Sequence, residues 1–366
     1  MPIPFIIGAA VLAAGAYGAK KGYDGYQKHS EADEIVRSAQ NRYDRKKTEF
    51  DEQERDTQTA LANLGKLELS IGKSFGDFKT LADSLLDKLR QDGRKDLTIH
   101  VPRQTLQRVE NYSYSAIGVL GSAVGAGAAG AAAGFAVYGG VMALGAASTG
   151  TAISSLAGVA ATNATLAAIG GGSLATGGLG IAGGTAILGA AVAAPVLAIA
   201  GWAYDSHGEE ALKNARRADR EVDSATAKLD KAGKMLGDVE DYSRRIKRTL
   251  TSIFGHFNQY FDNLKNINTF VEDLKGRNVD IEAELAKHGD DIIHAIENGY
   301  ALAALLTDLI TTPIFKVQEK NGEVVRDADG VPQMEKDADG SMILNDAGLD
   351  GAISKARDEA DQYAAA

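Results

Sequence analysis

The chain contains no cysteine, and one long region of it contains no charge. Without cysteine a disulfide framework is excluded, so redox chemistry does not fix the compartment and a cytoplasmic origin is the default expectation. Residues 111–204 lack Asp, Glu, Lys, Arg and His, although charged residues make up 24% of the whole protein. We call residues 111–204 the uncharged tract. Apolar runs of about 18 or more residues are candidate membrane spans, and a single buried core helix does not need this length.

The composition of the uncharged tract is only weakly apolar. Half of the 42 glycines lie in it, together with long alanine runs. Leu, Ile, Phe and Val favour membrane insertion by roughly 0.3 to 0.6 kcal/mol each, whereas alanine and glycine add little. A chain that must first be soluble and insert later would use such a marginal tract. Permanent insertion and a dry helical core without any membrane role are the two alternatives.

Glycines four residues apart and aromatic residues at both ends are the candidate membrane-insertion residues of the tract. The glycine spacing places bare backbone on one helix stripe, which permits close helix contact, and amphipathic rings prefer the headgroup level. If both ends lie at one interface, the tract crosses an even number of times, as one or two helical hairpins. For the tyrosines, the end of a core helix is an equal alternative. The glycines are Gly121, Gly125, Gly130, Gly134, Gly180 and Gly184, and the aromatic residues are Tyr112, Tyr114, Trp202 and Tyr204.

Two long helices are predicted on either side of the tract. From Ala211 to Leu274, positions that alternate steps of four and three are all apolar or Tyr except Ser243. A weaker seam on the same spacing runs from Val36 to Leu89, with polar lapses at Gln40, Lys47, Glu54, Thr57 and Glu68. Long helices with one apolar seam each need a partner in water. We therefore expect an all-α fold, a long antiparallel coiled coil or helical bundle with the Ala/Gly-rich apolar hairpin at its tip.

Five segments follow from these patterns. Residues 1–22 form an N-terminal apolar segment, which could be a short membrane anchor, a buried first helix or a cleaved signal. Residues 23–110 form coiled-coil helices, 111–204 the uncharged tract, and 205–315 the second long helix with a packing helix. Residues 316–366 form an acidic tail in which Asn321-Gly322 and two Asp-Ala-Asp-Gly sequences predict a small β meander with tight turns.

Enzymatic motifs are weak in this sequence. Residues 125–130 spell GxGxxG, but no strand precedes them and the next charge is Asp205, so the match is due to chance. His288, Asp290, Asp291 and His294 have neither the spacing nor the number expected of a metal site. We expect no catalytic residue, cofactor or metal.

The densest basic run outside the tract is Arg244, Arg245, Lys247 and Arg248. We call these four residues the basic run. Four cations close to anionic lipid would favour binding by about 1 kcal/mol each. Because the basic run lies roughly 60 Å from Asp205 along a straight helix, the sequence favours salt bridges to Asp238, Glu240 and Asp241, between helices or between subunits.

Long helices that carry an Ala/Gly-rich apolar hairpin resemble the α-pore-forming toxins of the cytolysin A and haemolysin BL type. The glycine-rich hairpin is also similar to those of the apolipoprotein L group and the colicin pore-forming domain. The resemblance covers residues 3–315 and implies membrane insertion with oligomerisation after a soluble stage. Two features depart from it: the uncharged tract is much longer than the tongue of these toxins, and the acidic tail has no counterpart.

The predicted function is therefore a non-enzymatic, membrane-active protein whose apolar hairpin inserts and whose copies assemble into a pore or membrane lesion. Its expected partners are a lipid membrane and further copies of the chain, with a protein partner for the acidic tail left open and no nucleic acid. A cytoplasmic soluble form would convert to a membrane-associated one, and secretion without a cleaved signal is left open. The alternatives are a membrane-anchored coiled-coil scaffold that shapes or tethers membranes and a soluble helical adaptor.

Overall fold

The computed structural model describes residues 19–91, 99–122, 132–139, 208–274, 284, 287–320, 323–325, 333–338 and 342–364. The described part is mostly helical, as predicted. Its helices are α1 (Ala19–Gln91), α2 (Arg103–Ser122), α3 (Gly208–Leu274), α4 (Gly289–Ile310) and α5 (Asp346–Ala364), and Phe135–Gly139 form a π-helical turn. The two strands, β1 (Glu319–Lys320) and β2 (Glu323–Val324), are short and antiparallel. The division into five segments stays a prediction.

The apolar seams of the two long helices are buried. In α3 all seam positions are buried except Ala218, Ala232 and Ile267, which are partly exposed. In α1 the seam is fully buried from Leu61 to Leu89. Two of its polar lapses, Thr57 and Glu68, are buried as well. The Thr57 hydroxyl is satisfied by the carbonyl oxygen of Gln53, at 2.8 Å.

The chain divides into two compact units, and each long helix contributes to both. The first unit comprises residues 1–48 and 192–230. Its described core is small, with Ala32, Ala211 and Ala215 buried together. Charged residues link its α1 and α3 segments, since Arg42 donates to Asp219 at 2.7 Å and to Asp223 at 2.9 Å.

The second unit comprises residues 49–191 and 231–366, and α1 and α3 run parallel in it. Thr57 donates to the Leu236 carbonyl oxygen, and Lys88 donates to Asn268, at sequence separations of 179 and 180 residues. A constant separation means that both helices advance in the same direction. In the first unit the separations between Arg42 and its two partners are similar, 177 and 181 residues.

The antiparallel arrangement expected from the sequence is therefore wrong for the two long helices. The physical reason is the course of α2, which runs back along α1: Tyr112 contacts Glu68, whereas the earlier residue Glu110 lies 3.9 Å from Lys79. Because α2 is antiparallel to α1 and α3 is parallel to α1, the first and third helices have the same direction. The hairpin predicted at the tip belongs to residues outside the described ones, apart from 111–122 and 132–139.

Aromatic rings form the centre of the second unit. Phe78 of α1 packs against Phe257 and Phe261 of α3 and against Tyr300 of α4, with ring centroids 5.1 to 5.7 Å apart. Gly299 of α4 is needed there, because a Cβ atom would collide with the Phe78 ring. The predicted packing helix, α4, thus lies against the aromatic end of the long helices, and it begins at Gly289.

The tail contains β pairing, as predicted, and also a helix that the sequence analysis missed. Besides β1 and β2, bridges join Phe315 to Leu344, Val317 to Met334 and Lys336 to Met342. Helix α5 follows and buries Leu349, Ile353, Ala356 and Ala360. It lies parallel to α3, since Arg357 donates to Thr249 and Arg245 donates to Asp350.

Candidate functional site

The described part of the uncharged tract packs into a groove on α1. Gly72 has no room for a side chain, because a Cβ atom there would collide with the Ala116 methyl group of α2. A Cβ at Gly76 would lie 2.9 Å from the Ser113 hydroxyl oxygen. At Gly65 a Cβ would overlap the carbonyl oxygen of Ala132. We call Gly65, Gly72 and Gly76 the glycine groove.

The glycine groove has a physical cost and a use. Each glycine within a helix is about 0.5 to 1 kcal/mol less favourable than alanine. The missing side chains, however, let the backbone of residues 111–122 and 132–137 approach α1 closely, as small residues do at tight helix contacts. The sequence predicted such contacts within the tract, and their partner on α1 was not predicted. The spacing of Gly72 and Gly76, four residues apart, was the available signal.

Tyr112 fastens the tract to α1. Its side chain is fully buried, and its hydroxyl donates to the carbonyl oxygen of Glu68 at 2.8 Å. The ring makes edge and tilted contacts with Phe75 and Phe135, with centroids 6.1 and 6.0 Å apart. In this conformation Tyr112 is a core residue, which is the alternative that the sequence left open for the tyrosines.

Glu68 lies within this docked region and is itself buried, with 2% of its surface exposed. Burial disfavours the charged form of a carboxyl group, and here it raises the pKa of Glu68 to about 8. The carboxyl group is therefore largely protonated at neutral pH. From the sequence, Glu68 was predicted only as a polar lapse in the apolar seam.

Ion pairs close the edge of the same contact. Lys79 of α1 donates to Asp83 at 2.8 Å and lies 3.9 Å from Glu110 of α2. The hydrogen bond to Asp83 is the main cause of the raised Lys79 pKa. Burial, with smaller contributions from Asp83 and Glu110, raises the pKa of Tyr300, which lines the same cleft between α1 and α2. On its other side α2 is held to α4 by the ion pair of Arg108 with Asp308.

Three large apolar or aromatic side chains of α2 are exposed. Tyr114, Ile117 and Leu120 expose 56%, 44% and 42% of their surface. Gly121 is also exposed, and a Cβ there would have no atom of the described residues within 4 Å. The docked segment therefore combines buried side chains with three exposed apolar ones, of which Ile117 also approaches Gly76 of α1.

The predicted insertion residues have different positions in the structure. Tyr112 and Gly134 are buried, whereas Tyr114 and Gly121 are exposed. The predicted contact stripe of Gly121 does not correspond to a close helix contact in this conformation. The remaining predicted residues lie outside the described residues; they are Gly125, Gly130, Gly180, Gly184, Trp202 and Tyr204. Their membrane role stays a prediction.

The basic run forms fewer interhelical ion pairs than expected. Arg244 pairs with Glu240 within α3, and Arg245 pairs with Asp350 of α5 at 2.7 Å. Within the described part of the chain, the side chains of Lys247 and Arg248 have no ion-pair partner. Only Arg245 thus links two helices, and its partner is a residue that the sequence analysis did not name.

A metal site and a membrane-spanning helix are both absent from the described ranges. No group of His, Asp or Glu side chains there is arranged to hold a metal ion. No helix there combines the length and the apolar character needed to cross a bilayer.

Comparison with known proteins gives no relative. No family model matches the chain, and neither the curated proteins nor the solved structures contain a significant match. The resemblance to α-pore-forming toxins therefore depends on the sequence pattern alone.

Proposed function

We propose that the chain is a non-enzymatic, membrane-active helical protein. Its uncharged tract inserts into a lipid bilayer as helical hairpins, and several copies assemble into a pore or membrane lesion. The observation that carries the proposal is the absence of charge throughout residues 111–204, next to two long helices with apolar seams. The proposal includes coiled-coil pairing of these seams and a helical hairpin formed by the tract.

The docking of the tract on α1 supports a soluble stage that precedes insertion. Val119 and Phe135 are buried in the core of the second unit, together with Tyr112. Moving one such side chain from the core into water costs roughly 1.5 to 3 kcal/mol, whereas moving it into lipid leaves it in an apolar environment. Release of the docked segment is therefore much less costly at a membrane than in water.

The exposed apolar side chains of α2 provide a first contact with lipid. Tyr114, Ile117 and Leu120 need no rearrangement to meet a bilayer, since they are already exposed. Amphipathic tyrosine rings favour the interface, and Leu and Ile favour its apolar side. We infer that these three side chains bind first and that the buried side chains follow when the glycine groove opens.

Dye release from liposomes tests the proposal, with glycine substitutions inside the tract. Gly125→Leu and Gly130→Leu add bulk where close-packed hairpins need bare backbone. We expect both variants to bind vesicles as the wild type does but to release less dye and to form fewer oligomers. Gly255→Leu is the control, because Gly255 lies on α3 outside the tract and a Cβ atom there meets open space.

Two other outcomes would decide against the proposal. Equal or greater leakage by both variants would indicate that the tract partitions into the bilayer as an apolar anchor and does not assemble through close helix contacts. Lower thermal stability, by about 1 to 3 kcal/mol, without vesicle binding would indicate an overpacked soluble core. Carbonate extraction separates the scaffold alternative, because a permanently embedded protein stays entirely in the membrane pellet.

A further inference from the structure

A basic surface on α3 combines cations with hydroxyl groups. Arg244, Lys247, Arg248 and Thr251 follow a spacing of three and four residues, which places them on one face of the helix. They line an open groove together with Arg245, Tyr242, Asp238 and Asp241. Four cations and two carboxylates line this groove, and two of the cations, Arg244 and Arg245, are paired with Glu240 and Asp350 outside the lining.

One part of the groove is fixed by α5. Arg245 donates to Asp350 at 2.7 Å, and its guanidinium group lies over the Tyr242 ring, 4.8 Å from the ring centroid. Lys247 and Arg248 lie next to this fixed pair and are without an ion-pair partner in the described part of the chain. Two cations thus remain available for an external anion.

The parallel course of α1 and α3 places the basic run level with the docked tract. Residues in contact on the two helices are separated by about 180 positions, as Lys88 and Asn268 are. Gly65, which touches Ala132 of the tract, is therefore at the level of Arg245 along the helices. The roughly 60 Å that an ideal straight helix gives between Asp205 and the basic run is not the distance to the described part of the tract.

We propose that the basic run is a docking surface for the headgroups of anionic phospholipids. It would hold this part of α3 along the membrane while the tract, docked at the same level, enters the bilayer. The inference rests on the proposed function, since it identifies the lipid class that the inserting protein recognises. The arginine groups suit phosphate oxygens because they donate two parallel hydrogen bonds.

The experiment compares vesicle binding of two charge-neutral variants. Lys247→Gln with Arg248→Gln removes the two unpaired cations, and Arg220→Gln with Lys228→Gln is a matched control elsewhere on α3, where both residues are exposed. Binding is measured by co-sedimentation with phosphatidylcholine vesicles, with or without phosphatidylserine, in about 0.1 M salt. Each cation near anionic lipid strengthens binding about 5-fold, so we expect the first variant to bind the anionic vesicles about 30-fold more weakly.

Each result has a definite reading. Binding to pure phosphatidylcholine should be unchanged, and the control variant should lose clearly less than the first. An equal loss in both variants would overturn the inference, because it would reduce the effect to net charge, and so would wild-type binding by the first variant. Unchanged thermal melting excludes misfolding.

The same experiment separates this inference from the proposed function. Wild-type protein that binds anionic vesicles through Lys247 and Arg248 but releases no dye would contradict the pore and keep the docking surface. Dye release that is equally strong without these two cations would keep the pore and contradict the docking surface. Absence of any vesicle binding by the wild type would contradict both.

Discussion

Replacement of Glu68 by Gln tests the buried carboxyl group under the docked tract. Folding raises the pKa of Glu68 from 4.5 to about 8. The folded state therefore binds the proton more tightly than the unfolded state. The stability linked to this group is fully present below pH 4.5 and is lost progressively as the pH rises to about 8. Gln stays neutral throughout, so the Glu68→Gln variant should lose this pH dependence.

The magnitude follows from the pKa shift. One pKa unit corresponds to about 1.4 kcal/mol, so the wild type should lose on the order of 3 kcal/mol between pH 5 and pH 8 because of Glu68. The Gln amide group has two N–H donors where the acid has one O–H, and an unsatisfied donor costs about 1 to 3 kcal/mol. That cost is independent of pH. The informative quantity is therefore the pH dependence and not the stability at a single pH.

Urea unfolding at pH 5, 6, 7 and 8 measures the effect. We expect the difference in unfolding free energy between Glu68→Gln and wild type to shift in favour of the variant by on the order of 3 kcal/mol from pH 5 to pH 8. Glu52→Gln, at an exposed position of the same helix, is the control and should show little shift. A wild-type pH dependence in Glu68→Gln would refute the reasoning about burial. If opening of the groove precedes insertion, dye release by the wild type should also be faster at pH 8 than at pH 5.

Two further predictions concern the glycine groove. The chain has no cysteine, so Gly76→Cys with Ser113→Cys introduces a single disulfide. A Cβ atom placed on Gly76 would lie 2.9 Å from the Ser113 hydroxyl oxygen, which marks the position of the new sulfur. In a disulfide, the Cβ atom of one cysteine lies about 3 Å from the sulfur atom of the other. We expect the oxidised protein to release no dye and the reduced protein to release it, whereas leakage by the oxidised form would mean that α2 stays docked during insertion. Gly72→Ala should lower the unfolding free energy by about 1 to 3 kcal/mol, because its Cβ collides with Ala116. Gly255→Ala, where a Cβ meets open space, should raise it by about 0.5 to 1 kcal/mol, and an equal effect at both sites in thermal or urea unfolding would contradict the close contact.

Much of the helical structure was predictable because heptad spacing reports burial. Leu64 and Leu236 lie on the predicted seams and are buried. The direction of pairing was not predictable in this way, since an apolar seam looks the same to a parallel and an antiparallel partner. Only interhelical contacts such as that of Thr57 with Leu236 fix it.

Other features were missed because their signals were interpreted in isolation. Glu68 was interpreted only as a polar interruption of the apolar seam. An ionisable residue at a seam position is also a candidate for a buried carboxyl group. Helix α5 was hidden by the Asp-Gly turns before it, but Leu349, Ile353, Ala356 and Ala360 follow the same spacing as the longer seams. The glycine groove on α1 was missed because close contact was sought only between parts of the tract.

The glycine groove also links the departure of the tract to the integrity of α1. Gly65, Gly72 and Gly76 together make this stretch about 1.5 to 3 kcal/mol less helix-forming than alanines would. While α2 and Ala132 cover the groove, their packing compensates for that weakness. Once they leave, the same stretch has bare backbone facing solvent and becomes the point at which α1 frays most easily. Insertion of the tract and local unfolding of α1 are then two parts of one cooperative transition, because this stretch of α1 is stably helical only while the tract is docked on it.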